Sequence, residues 1–168
     1  MRTHASTTGR SPASDAGPLA GPAIGSAWQP ARPGQPRPLN AGNLSLTALP
    51  TSPGFARQYA RFFLDSCRGL SEDAAETTIL LVSELVTNAV QFTASADAGL
   101  ISLSIRHFRH GLLIEVSDAS SNPPVLSEAG HDAEGGRGLA VIAALSKEWS
   151  YFLLPDSGKV VYCFLDTG

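Results

Sequence analysis

Two runs, Ile101-Ser102-Leu103-Ser104-Ile105-Arg106 and Leu112-Leu113-Ile114-Glu115-Val116-Ser117-Asp118, separated by a short turn around His110-Gly111, decide the fold of this chain. Ile101, Leu103 and Ile105 alternate with polar neighbours, and Leu112, Ile114 and Val116 repeat the pattern after the turn. A period of two puts alternate side chains on opposite faces of a strand, and two such strands joined by a tight turn form a hairpin. Asp118 shares the parity of Leu112, Ile114 and Val116 and so falls on their inward face. A carboxylate there is costly unless it finds a donor.

Upstream of residue 99 the period is 3.6. Ser71, followed by Glu72, Asp73 and Glu76, reads as a helix start whose early acidic residues suit the dipole. On the helix that follows, Ile79, Val82, Leu85, Val86, Ala89, Val90 and Phe92 define an apolar side, and Glu84 and Asn88 lie together on the polar one. Before it, Ser52 as N-cap and Pro53 at the first position open a helix to about Cys67, with Phe55, Tyr59, Phe62 and Phe63 as its apolar face. The alternating leucines of residues 44–49 predict a short strand.

Downstream, Leu139, Val141, Ile142 and Leu145 predict a helix to about Ser146, and strands 149–154 and 159–165 flank the turn Pro155-Asp156-Ser157-Gly158. The order is strand, helix, helix, hairpin, helix, hairpin. It implies an α+β fold, a two-layer α/β sandwich whose mixed, mostly antiparallel sheet carries its helices on one face. Residues 1–42 hold seven of the 12 prolines and six of the 16 glycines with few branched or aromatic residues, so this segment is expected to be a disordered tail. Residues 43–168 are then one domain.

Three features carry candidate chemistry. Glu84 and Asn88 sit one helical turn apart, where a carboxamide oxygen can ligate Mg2+ and a carboxylate can take a proton from an incoming hydroxyl. Gly136 and Gly138, in the run Gly135-Gly136-Arg137-Gly138-Leu139, open a helix whose free N–H groups suit phosphate, with the Arg137 guanidinium beside them. Asp118 can accept from the exocyclic amine of adenine and repel the guanine carbonyl, or it can simply cap the next turn with Ser120 and Asn122. Each alone also has a plain structural reading. Together they point to ATP.

Other chemistries are disfavoured. There is no GxxxxGK[ST] loop and no GxSxG elbow, and the GxGxxG pattern fails at its third glycine. Cys67 and Cys163 form no disulfide or zinc framework and read as buried hydrophobes, while His4, His107, His110 and His131 have no ligand spacing and read as solvated. A formal charge of -3 with no Lys/Arg block argues against nucleic acid as the main partner. No apolar run approaches the roughly 20 residues of a membrane helix, and a cytoplasmic location is the expectation.

Read in order, "LLVSELVTNAV" (80–90), "IEVSDAS" (114–120) followed by Pro123-Pro124, and "GGRGLAVIAAL" (135–145) resemble the ATP-binding domain shared by histidine kinases, gyrases and bacterial anti-sigma factor serine/threonine kinases. The resemblance spans residues 44–166 and is greatest to the small, stand-alone anti-sigma factor kinases. It implies that ATP lies between sheet and helices, with Glu84 as base, Asn88 on Mg2+, Asp118 on adenine, and Gly136, Gly138 and Leu139 lining the phosphate end. It further implies a serine on an antagonist protein as phosphoryl acceptor and a sigma factor as binding partner, with a homodimer left open. A non-catalytic, ATP-gated binding module of the same fold is the alternative. Against a histidine-kinase catalytic half stands the lack of an upstream phospho-acceptor helix. The chain departs from the common pattern in lacking glycines after Asp118, in carrying Gln91 and Phe92 where a basic residue is frequent, and in placing Val160 where a threonine often supports the aspartate.

Overall fold

The computed structural model describes residues 36–93, 99–124, 137–155 and 158–167. Eight elements follow in chain order: β1 (Asn40–Thr47), α1 (Ser52–Asp65), α2 (Glu72–Thr93), β2 (Leu100–Phe108), β3 (Gly111–Asp118), α3 (Arg137–Leu145), β4 (Glu148–Leu153) and β5 (Lys159–Asp166). The five strands form one sheet ordered β1-β2-β3-β5-β4. Every neighbouring pair is antiparallel. The fold is the expected α+β sandwich. β1 begins at Asn40, ahead of the leucine repeat that announced it, because Asn40 to Asn43 pair with His107 to Ser104 whatever their side chains.

Register decides what each face carries. Directly opposed residues share a face, so the pairs Ile105↔Ile114, Ile114↔Cys163 and Trp149↔Cys163 line up across four strands. Ile105, Ile114 and Cys163 are fully buried in a core that also takes Leu81, Val82, Leu85 and Val86 from α2, Ala56, Ala60 and Phe63 from α1, and Leu139 and Ile142 from α3. All three helices therefore cover this one face. Burial pushes the Cys163 thiol up to about 12, as suits a small apolar filler, and Cys67 is buried too.

The apolar face of α1 differs from the one predicted. Ala56, Ala60, Phe63 and Leu64 turn inward, while Phe55 and Phe62 are 57% and 78% exposed. Alanines on the inner stripe bring α1 close to α2, and that spacing, not aromatic size, sets its rotation. Nor does Ser52 cap α1. Thr51 holds the N-cap position, and the Ser52 hydroxyl donates back to the Thr47 carbonyl at 2.6 Å. Ser71 does act as expected at α2, where its hydroxyl accepts from the Ala74 N–H at 3.2 Å.

His107 is a further correction. It is buried, not solvated, because its parity is that of Ile101, Leu103 and Ile105, and among the described residues its Nδ1 has no hydrogen-bond partner. On the opposite face of the sheet Arg106 pairs with the buried Glu115. Burial raises the Glu115 carboxyl above the usual glutamate range, with the Arg106 guanidinium pulling the other way.

Candidate functional site

The helix α2 runs along the site and its residues 84, 88 and 92 form one stripe. Eight residues at 1.5 Å each make the stripe about 12 Å long, comparable with the separation of purine and terminal phosphate in an extended nucleoside triphosphate. Something of the site meets the helix at each end.

At one end stands Gly138, in the first turn of α3. A Cβ there would come within 2.8 Å of Glu84 Oε2, so a glycine is what allows the start of α3 to lie against the carboxylate. The first N–H groups of an α-helix have no carbonyl of their own helix to bond, and α3 presents such a start at Arg137. Leu139 is buried in the core and anchors that turn. Gly136 and the side chain of Arg137 lie outside the described residues.

Asn88 follows Glu84 by one turn. It is buried although it was assigned to the polar side of the helix. Among the described residues its carboxamide makes no hydrogen bond.

At the other end lies Asp118, the last residue of β3, 5% exposed. Its Oδ1 accepts from the Ser120 N–H at 2.8 Å and from Lys159 Nζ at 2.9 Å. Its Oδ2 is buried and has no partner among the described residues. The turn-capping role expected of this residue falls to Oδ1. One oxygen is spent on the turn and the lysine, and the other is open.

Sequence reasoning missed Lys159. It is fully buried, opposes Asp118 in the β3–β5 register, and sets its ammonium 5.0 Å from the centre of the Phe92 ring, near enough for a cation–π contact. Gly158 makes the placement possible. Its φ of +107° is one that side chains disfavour, and a Cβ would lie 2.5 Å from the Asp118 carbonyl oxygen. The signal was available, since Lys159 shares parity with Val161, Cys163 and Leu165 on the inward face. Val160, which the resemblance placed beside the aspartate, instead opposes Ser117 on the outer face.

The orphaned Asp118 oxygen can accept from an adenine amine, the Asn88 carboxamide oxygen can ligate a cation, and Gly138 leaves room beside Glu84, so the residues present fit a metal-bound adenine nucleotide. Comparison with known families agrees: residues 46–163 match the histidine kinase-like ATPase domain. The chain belongs to this family, which implies ATP binding in a regulatory protein. A comparison with curated proteins found no match. No helix among the described residues is long and apolar enough to cross a membrane.

Proposed function

We propose that this protein is an ATP-dependent serine/threonine kinase of the anti-sigma factor type, which phosphorylates a serine of an antagonist protein and, when free of it, binds and silences a sigma factor. The observation that carries the reading is the α2 stripe, with Gly138 against Glu84 at one end and the open Asp118 oxygen beyond Phe92 at the other.

MgATP, when bound, supplies the phosphoryl group and the metal's positive charge. Asp118 Oδ2 accepts the adenine amine. The Asn88 carboxamide oxygen would hold Mg2+, a hard cation that prefers oxygen ligands. The first N–H groups of α3 would hold phosphate. Glu84, at the same end, takes the proton of the incoming serine hydroxyl late in transfer.

The test is incubation with γ-labelled ATP and purified candidate antagonists. Serine-bound label on one of them, abolished by Glu84→Gln while ATP binding persists, is the expected result. Label that survives Glu84→Gln removes the assigned role of that carboxylate.

One observation favours a second reading. Asp118 is followed by the glycine-free run Ala119-Ser120, whose Ser120 N–H already occupies Asp118 Oδ1, so the adenine side of the site departs from the common pattern. A module that uses ATP only to set its shape fits this as well. ATP binding without transfer to any partner selects it.

A further inference from the structure

Resting on the ATP-binding reading above, we infer that Lys159 is a second base-reading residue, its ammonium donating to the ring nitrogen N1 of adenine while Asp118 Oδ2 accepts from the neighbouring amine. The pair is set up for this. An ammonium has three N–H donors, and among the described residues Lys159 bonds only Asp118 Oδ1, at 2.9 Å. A second direction faces the Phe92 ring at 5.0 Å. That leaves one ammonium N–H and the orphaned Oδ2, a bare acceptor on the carboxylate it pairs with, both removed from solvent.

Buried polar atoms are nearly always satisfied, so this adjacent acceptor and donor call for a ligand edge with a donor next to an acceptor. The amine and N1 of adenine are such an edge. Guanine presents the opposite order, a carbonyl where the amine stands and an N–H at position 1, so it would set carbonyl against carboxylate and N–H against ammonium. Lys159 thereby doubles the mismatch that Asp118 alone imposes. Its charge matters as well, because a buried carboxylate without a counter-ion would be costly to keep open for a ligand.

The experiment compares wild-type affinity for ATP and for 1-deaza-ATP, which keeps the amine but has a carbon at position 1. A hydrogen bond from a charged donor corresponds to a preference for ATP of about tenfold or more. Lys159→Met should remove the preference, whereas a purine riboside triphosphate, lacking the amine but keeping N1, should be discriminated through Asp118 in both proteins. Equal binding of ATP and 1-deaza-ATP to wild type overturns the inference and needs no folded variant to do so. A preference that survives Lys159→Met assigns N1 to another group and overturns it too. Absence of ATP binding in wild type defeats the nucleotide reading itself, a separately visible outcome.

Discussion

A lysine with no exposed surface needs partners inside the protein, and for Lys159 these are Asp118 and the Phe92 ring. Removing one member of a buried ion pair strands the other, so Lys159→Met should lower unfolding stability by about 3–5 kcal/mol in urea titrations. Adding Asp118→Asn should restore a large part of that loss. If the double variant is no more stable than the single one, the ammonium is not compensating the carboxylate. The outer-face pair behaves differently with pH. Glu115 is held above the usual glutamate range by burial, so the folded state binds its proton more tightly than the unfolded chain does. Its contribution is therefore greatest below the unfolded value of about 4.3 and is lost as pH rises through the higher folded value. Urea unfolding at several pH values between about 4 and 7 should show this decline in wild type and a flatter profile for Glu115→Gln.

At the level of the element, what was legible in the sequence was periodicity. The β2–β3 hairpin, the start of α2 at Ser71 and the β4–β5 hairpin all follow from local spacing and turn chemistry, and no distant contact overrides them. The rotation of α1 was not legible. Phe55 and Phe62 looked like core by size, yet Ala56 and Ala60 won the inner face because close helix approach rewards small side chains. The contrast is measurable. Phe62→Ser, at a largely exposed position, should shift stability by less than about 0.5 kcal/mol. Ala60→Leu, at a fully buried one, should cost about 1–3 kcal/mol through overpacking. Thermal unfolding of the two variants distinguishes them, and equal shifts would contradict the orientation of α1. The site was legible in the same partial way. Glu84, Asn88, Gly138 and Asp118 carry recognisable residue types at recognisable spacings. For Lys159 the inward parity was legible but the partner was not, since only the pairing of β3 with a strand 41 residues further on brings it to the aspartate.

For the whole molecule, the site draws on α2, α3, β3 and β5 at once, so nucleotide binding should stabilise the fold as a unit. At MgATP near one hundred times its dissociation constant the gain is about 2.7 kcal/mol, visible as a rise in melting temperature. Asp118→Asn should shrink the ATP-induced rise, because the base loses its acceptor. An unchanged rise would place the base elsewhere.

The position of β5 between β3 and β4 has a consequence for biosynthesis. When the polypeptide has emerged from a ribosome only through Leu153, β4 has no neighbour, because the strand that joins it to the sheet has yet to leave the ribosome. β3 likewise has one side unpaired until residues 159–166 arrive, and Asp118 waits with it for its counter-ion. A nascent chain stalled or cut before Gly158 thus lacks an inner strand and not a trimmed edge, and the Asp118–Lys159 pair is assembled only by the final strand of the sheet to be translated.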